Sequence, residues 1–114
     1  MKADYYLSLH LNAGGGHGFE SYVLTPGSKA DTIRKAIHDH LTQYLKGFGV
    51  VNRGVKYENL AVLRLTNMPA CLLEFVFIDN AAEAGLLKQE AFLNGLANET
   101  AYALAVALKL KPWD

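Results

Sequence analysis

One acidic residue interrupts an otherwise apolar stretch, CLLEFVFI at residues 71–78. The run predicts an interior strand, on which Glu74 shares a face with apolar neighbours two residues away. An unpaired carboxylate in such surroundings costs on the order of several kcal/mol and favours the protonated acid. A carboxylate of this kind suits general acid/base catalysis. The alternatives are a structural pairing of Glu74 with Arg53 or Arg64, or a position near the sheet edge.

A second candidate, His10, lies near the end of the strand that alternation predicts over residues 4–12. In open α/β sheets, ligands bind at the carboxyl ends of strands, although a lone strand histidine is commonly structural. If the strands of His10 and Glu74 are neighbours, an imidazole and a carboxylate converge on one mouth of the sheet. This pair would suit a metal-activated water, with the histidine as ligand and the glutamate as base.

The remaining reactive side chains favour structural interpretations. His17, in the glycine-rich segment GGGHG, is predicted to be an exposed loop residue, with a flexible metal ligand as the alternative. His38 and His40 stand two apart on a predicted helix, so they point to different faces and are predicted to lie on its surface. Cys71 lies inside the apolar strand, where burial raises a thiol's pKa and hides it from substrates. The glycine-rich loop lacks a Gly-Lys-Ser/Thr ending and precedes a strand, which excludes a phosphate-binding loop.

Composition limits the classes of function. The 114 residues predict one domain, 1–114, and 51% hydrophobic residues suffice for a core. Eleven basic and eleven acidic residues give a formal net charge of zero, so neither nucleic acid nor an anionic membrane is an expected partner. A single cysteine excludes an internal disulfide and a multi-cysteine metal cluster. No apolar stretch is long enough to span a bilayer, and residues 1–6 lack the apolar core of a signal peptide, which leaves the compartment open.

Strands and helices alternate along the chain. The patterns predict strands at 4–12, 19–24 and 70–78. They also predict a helix that begins at the Ser28 cap and ends at Gly47 and Gly49. A second helical region begins at a cap formed by Asn80 with Glu83, and its apolar stripe covers about residues 90–110. Residues 50–60 are predicted to be irregular with a turn at 52–54, and residues 60–64 a short strand. This order favours an α/β fold, a largely parallel twisted sheet with flanking helices.

With these residues in hand, the sequence resembles the zinc-dependent N-acetylmuramoyl-L-alanine amidases of bacterial autolysins and phage endolysins. The resemblance covers nearly the whole chain. Five segments carry it in the family's order: ADYYLSLHLNA (3–13), GFESYV (18–23), NRGVK (52–56), VLRLTNMPA (62–70) and LEFVFIDN (73–80).

The resemblance implies a reaction and roles for four residues. The family hydrolyses the amide between the lactyl group of N-acetylmuramic acid and L-alanine in peptidoglycan. By position, His10 would be a ligand of a zinc cofactor, and Glu74 would take a proton from the zinc-bound water and deliver one to the leaving amine. Asn12 and Arg64 would line the same mouth in supporting or substrate-binding roles.

The sequence also departs from the family. The family's zinc has two further ligands, a histidine in a Gly-His-Gly segment and a glutamate on an early helix, and both are expected before Ala3. Neither His17 nor Glu20 replaces them, because each matches a later position. We therefore expect the C-terminal portion of an amidase domain, incomplete relative to the full amidase fold, whose site a separate N-terminal segment or a second copy completes.

Three functional hypotheses stay open. The first is an amidase catalytic domain that is complete only with a partner segment. The second is a non-catalytic module that keeps the fold and binds cell wall or a partner protein without zinc. The third is a substitute metal site, in which His17 swings in beside His10.

Overall fold

A four-stranded sheet with helices on both faces makes up residues 3–110, the part of the chain that the computed structural model describes. The ends of the predicted 1–114 domain, residues 1–2 and 111–114, lie outside it. In chain order the elements are β1 (Tyr6–Asn12), β2 (Phe19–Val23), α1 (Lys29–Lys46), β3 (Asn52–Tyr57), α2 (Ala61–Arg64), β4 (Ala70–Phe77), α3 (Ala81–Leu86) and α4 (Glu90–Ala107).

The strand order is β1-β4-β2-β3, so the last strand in the chain lies inside the sheet, and β1 and β3 form its edges. β1 runs parallel to β4 and β2 parallel to β3, whereas β2 and β4 are antiparallel. The α/β class is confirmed, and two of the three pairings are parallel as predicted. The antiparallel pairing brings the start of β2 and β3 to the same end of the sheet as the finish of β1 and β4.

The interior strand β4 is covered on both faces, which its near-continuous apolar sequence predicts. Cys71, Leu73 and Phe75 are buried in the main core together with residues of α1 and α4. On the opposite face, a smaller cluster joins Leu72 of β4 to Leu63 of α2. Burying one leucine in this way stabilises the fold by about 1.5–3 kcal/mol.

Helix α1 is attached to the sheet by polar as well as apolar side chains. The Ser28 cap is confirmed, because its Oγ accepts the Asp31 N–H at 3.2 Å. The Asp31 carboxylate accepts hydrogen bonds from the Gly27 N–H and from the guanidinium of Arg34. Arg34 is fully buried and donates to the carbonyls of Ser21 and Lys56, which ties α1 to β2 and β3.

The surface position predicted for His38 is wrong. His38 lies on the face of α1 that packs on the sheet, one turn from Arg34 and Leu41, and it stacks on Phe19 with ring centroids 4.5 Å apart. Its Nε2 donates to Asn52 Oδ1 at 2.7 Å, and its Nδ1 accepts from Ser21 Oγ at 2.7 Å. Burial lowers the pKa of His38, so the ring is neutral. His40 is partly exposed and pairs with Glu99 of α4 at 2.5 Å.

Two further predictions are wrong. Residues 52–57 form β3 instead of an irregular segment, because this edge strand carries polar side chains and shows no apolar alternation. Residues 61–64 form α2 instead of a strand, since four residues are too few for periodicity to distinguish the two. No helix among residues 3–110 has the length and apolarity needed to cross a bilayer.

Candidate active site

His10 and Glu74 lie side by side, because β1 and β4 are neighbouring parallel strands and these two residues are register partners. The imidazole of His10 and the carboxylate of Glu74 therefore lie on neighbouring strands, as their convergence required. His10 is exposed, and its Nε2 lies 2.8 Å from Ser8 Oγ. The register between β1 and β4 shifts between His10 and Asn12, so the strand pairing is irregular directly after His10.

Glu74 is half-buried, and within residues 3–110 no lysine, arginine or histidine nitrogen lies within 4.0 Å of its carboxylate. Both structural partners considered for it bind elsewhere: Arg53 Nε donates to Glu20 at 3.1 Å, and Arg64 donates to Asn59 at 2.8 Å. Burial raises the pKa of Glu74, the negative charge of Glu20 raises it further, and His10 opposes the shift. Glu74 therefore binds a proton more tightly than an ordinary glutamate does.

A second carboxylate, Glu20, lies next to Glu74 as its register partner on β2. Its side chain is only 2% exposed, and it accepts from Lys56 Nζ at 3.1 Å and from the Tyr22 hydroxyl at 2.9 Å. Burial opposes ionisation, but the hydrogen bonds from Lys56, Tyr22 and Arg53 outweigh it and lower the pKa of Glu20. Glu20 therefore stays charged beside Glu74, a neighbour that the sequence analysis missed. Its signal was the pair of cations in NRGVK on the next strand.

The glycine-rich loop is fastened at the same end of the sheet. Asp79 Oδ2 accepts the N–H groups of Gly14 at 2.8 Å and Gly15 at 2.9 Å. The buried carboxylate of Glu83 accepts the Gly18 N–H at 2.7 Å and the Phe77 N–H at 2.8 Å. Half of the predicted cap at Asn80 is present, because Asn80 Oδ1 accepts the Glu83 N–H while the Glu83 carboxylate serves the loop. These bonds hold the loop as a rim of the mouth.

The other candidate residues lie in separate places and make contacts of their own. Asn12 ends β1, where its Oδ1 accepts the Ala13 N–H at 2.9 Å and its carbonyl accepts the Ile78 N–H at 2.9 Å. Arg64 is exposed at the end of α2, bonded to Asn59. His17 is exposed, and its carbonyl accepts from Arg53 at 3.2 Å. Cys71 is buried, which raises the pKa of its thiol to about 11 and excludes a ready thiolate.

A metal centre needs more ligands than this mouth supplies. Across residues 3–110, no group of three histidine, cysteine, aspartate or glutamate side chains could hold a metal ion. A catalytic zinc takes three protein ligands and keeps one open position. The described residues thus provide an imidazole beside a carboxylate of raised pKa, but they do not by themselves fit a zinc site.

Comparisons with known proteins agree on one family. A family model described as N-acetylmuramoyl-L-alanine amidase matches residues 1–106. The endolysin of Bacillus phage SPP1 is 44% identical over 114 residues, which cover 96% of this chain and 42% of that protein. The sporulation-specific N-acetylmuramoyl-L-alanine amidase of Bacillus subtilis (strain 168) is 41% identical over 110 residues. This match covers 96% of this chain and 42% of that protein. The chain thus spans about two fifths of the length of these relatives.

The fold is similar to those of solved catalytic domains. The catalytic domain of CwlV, an amidase from Bacillus (Paenibacillus) polymyxa var. colistinus, matches with a TM-score of 0.82 and 33% identity over 96% of this chain and 60% of that domain. An N-acetylmuramoyl-L-alanine amidase from Clostridium difficile 630 matches with a TM-score of 0.84 and 26% identity, with the same coverage of 96% and 60%.

Proposed function

Because the chain belongs to the N-acetylmuramoyl-L-alanine amidase family, whose model matches residues 1–106, we propose that it forms part of a peptidoglycan-hydrolysing active site. The bond cleaved is the amide between the lactyl group of N-acetylmuramic acid and L-alanine. The observation that carries this proposal is the register pairing of His10 with Glu74 on neighbouring strands.

In this proposal, Glu74 is the proton-transfer group. Burial and, second, the negative charge of Glu20 raise the pKa of Glu74. Its pKa is therefore closer to the working pH, as proton transfer requires. Glu74 takes a proton from the attacking water and then returns one to the nitrogen of the departing L-alanine. Lys56 and Arg53 keep the Glu20 carboxylate ionised. Its negative charge therefore continues to raise the pKa of Glu74.

His10 is the zinc ligand in the same proposal. A zinc ion held there by His10 and further ligands would supply a bound water of lowered pKa and an electrophile for the carbonyl. Since residues 3–110 bring no three-ligand group together, the remaining ligands come from a further polypeptide segment or a second copy of the chain. Asn12, at the His10 end of β1, and Arg64, whose guanidinium is exposed, are assigned to contacts with the glycan or the stem peptide.

A second candidate function follows from the same shortage of ligands. The chain then acts as a non-catalytic module that keeps the amidase fold and binds peptidoglycan without zinc. This candidate predicts that binding to purified cell wall is insensitive to a chelator and to Glu74→Gln. Catalysis instead predicts hydrolysis of the cell wall that a chelator abolishes and that Glu74→Gln strongly slows.

A chimera tests the catalytic proposal. The segment of the SPP1 endolysin that matches this chain is replaced by residues 1–114, and the release of new L-alanine amino termini from peptidoglycan is measured. We expect the chimera to hydrolyse peptidoglycan, and Glu74→Gln to lower kcat by about 10²–10⁴-fold without loss of bound zinc. His10→Ala should instead lower the zinc content.

The control is Glu58→Gln, which removes an exposed carboxylate away from the mouth and should leave kcat unchanged. A folded, zinc-loaded chimera that releases no L-alanine termini would refute the catalytic role of this chain. Full activity in Glu74→Gln would refute the role of that residue.

A further inference from the structure

A small open pocket lies between α3 and the C-terminal end of α1, beside the glycine-rich loop. Its volume is about 210 Å³. None of its lining residues belongs to β1, and none of them has a role in the proposed reaction. We call it the α1–α3 pocket, defined by His17, Phe48, Val50, Asn80, Ala82 and Leu86.

The end of α1 holds Phe48 at one wall of this pocket. The Val50 N–H donates to the Leu45 carbonyl at 3.1 Å, a bond that closes a helix when the residue before the donor has a positive φ. Gly49 supplies that conformation, with φ of 79°. The ring of Phe48 makes an edge-to-face contact with Phe92 at a centroid distance of 4.9 Å, yet the residue is 39% exposed. The pocket therefore presents a fixed aromatic surface.

The opposite wall is fixed by a buried carboxylate. Glu83 of α3 accepts the Gly18 N–H at 2.7 Å and the Phe77 N–H at 2.8 Å, which ties α3 to the glycine-rich loop and to the end of β4. Because both walls are held in this way, a ligand does not have to order them when it enters, and the free-energy cost of binding is lower.

Polar groups stand beside the apolar ones in the pocket. Asn80 Oδ1 accepts the Glu83 N–H at 3.0 Å, and within residues 3–110 neither its Nδ2 nor the imidazole of the exposed His17 has a hydrogen-bond partner. Phe48 and Leu86 supply apolar surface next to these donors and acceptors. No lysine or arginine is among the described residues that line the pocket, so a neutral ligand suits it better than an anion does.

A pyranose ring has the matching chemistry. The C–H groups on its faces carry a small positive charge, which the negative face of an aromatic ring attracts. Its hydroxyl and acetamido groups project around the rim, where they can bond with a few well-placed polar side chains.

The pocket also lies within reach of the proposed proton-transfer group. Glu20 is the register partner of Glu74, and His17 precedes Glu20 by three residues. An extended chain covers at most about 11 Å over that separation. A polymer whose scissile bond lies at Glu74 therefore has neighbouring units that can reach the pocket.

We propose that the α1–α3 pocket binds an N-acetylhexosamine ring of the glycan strand, other than the muramic acid whose amide is cleaved. One face of the sugar packs on Phe48, and its hydroxyl or acetamido groups bond with His17 and Asn80. The pocket thus gives affinity for the glycan, whereas the mouth of the sheet recognises the lactyl amide. The identity of the polymer rests on the proposed function, but the binding itself needs neither zinc nor Glu74.

The probe that tests this site is chitotetraose, a short chain of N-acetylglucosamine rings without a lactyl group or a peptide. It is titrated into the isotope-labelled 114-residue chain, and amide chemical shifts report the place and the affinity of binding. We expect saturable shifts at residues 17, 48–50 and 80–86, with a Kd on the order of 1 mM. Phe48→Leu, which keeps an apolar side chain but removes the ring, should raise the Kd by about twofold to tenfold. His17→Ala should raise the Kd as well.

Tyr102→Leu is the matched control, because Tyr102 is 58% exposed on α4 and lies outside the pocket. It should leave the Kd unchanged, and Phe48→Tyr, which keeps the ring, should bind as the parent chain does. The Tm of each variant shows whether its fold is retained. Absence of saturable shifts at sugar concentrations well above the expected Kd overturns the proposal. Shifts confined to other residues, or equal effects of Phe48→Leu and Tyr102→Leu, overturn it too.

The chimera with the SPP1 endolysin separates this proposal from the proposed reaction. Saturable binding of chitotetraose by a chimera that releases no L-alanine termini would refute the reaction and support the sugar site. Release of the termini without chitotetraose binding would refute the sugar site alone. Shifts at the pocket with a free L-alanyl-γ-D-glutamyl peptide, and none with chitotetraose, would identify the stem peptide as the occupant and overturn the choice of a sugar.

Discussion

At the scale of single residues, buried polar groups make the fold sensitive to pH. His38 is sealed between α1 and the sheet, where Ser21 and Asn52 occupy both of its ring nitrogens. Burial lowers its pKa in the folded protein below the value of about 6.5 expected in the unfolded chain. Above that value both states hold a neutral ring, and the residue gives no pH dependence. As the pH falls through about 6.5, the unfolded chain takes up the proton first.

We therefore predict that His38 lowers the free energy of unfolding as the pH decreases from about 6.5 towards its folded pKa. Urea unfolding at several pH values between about 7.5 and 5 measures the slope. His38→Gln should flatten the slope in this window, whatever its effect on stability at neutral pH. His17→Gln, a change at an exposed loop histidine, should leave the slope as it is. Equal slopes in the parent chain and His38→Gln would contradict the assignment.

Residues that break a local pattern could be found from the sequence, and residues whose partners are distant could not. Glu74 and His10 stood out because one interrupts an apolar run and the other lies at a strand end. Their pairing needed the strand order, which brings residues far apart in sequence into register. Glu20 was missed because its burial depends on cations from β3, and His38 because a polar side chain on a packed helix face looks like a surface residue.

At the scale of elements, α1 and α4 approach closely where Gly95 faces Tyr44. A methyl group on Gly95 would collide with the Tyr44 ring, whose hydroxyl donates to the Phe92 carbonyl at 2.9 Å and is therefore held in place. Gly85, in α3, has no atom within 4 Å of the position that a β-carbon would take. The two helical glycines thus form a matched pair.

We predict opposite effects of the same substitution at these sites. Gly85→Ala should stabilise the fold by roughly 0.5–1 kcal/mol, because alanine loses less backbone entropy in a helix. Gly95→Ala should destabilise it by about 1–3 kcal/mol, the usual cost of overpacking. Chemical denaturation measures both. A stabilising Gly95→Ala would mean that the two helices separate without cost at this point.

Long elements with a strong pattern were predictable, and short or edge elements were not. The sequence patterns located β1, β2, α1, β4 and α4 within a few residues of their observed bounds. β3 was missed because its side chains are polar, and α2 because it has a single turn. The antiparallel pairing of β2 with β4 has no local signal, since it follows from how the helices between the strands pack.

At the scale of the whole molecule, Cys71 reports on the stability of the sheet. It is fully buried on the interior strand β4, and burial raises the pKa of its thiol to about 11. A thiol reagent therefore reaches it only when β4 separates from its neighbours, and that opening is the unfolding of the core.

We predict that Cys71 in the native protein reacts at least about a thousandfold more slowly than in the unfolded chain, because opening of a core strand approaches the global free energy of unfolding. Labelling rates measured against urea should rise with the slope of global unfolding. In a Cys71→Ala chain carrying Leu65→Cys, the thiol at the exposed position should react at the rate of a free thiol at every urea concentration. A urea-independent rate for Cys71 would reveal a local opening of β4.

The strand order also has a consequence during synthesis. β1 is made before the other strands, yet its sheet partner is β4, at residues 70–77. At roughly 5–20 residues per second, β1 waits on the order of several seconds on the ribosome before that partner is translated. β2 and β3 are both translated before β4, so they can begin to pair earlier than β1 and β4 can. For those seconds β1 carries its leucines without its β4 partner, and it is then a segment that chaperones specific for extended apolar chains can bind.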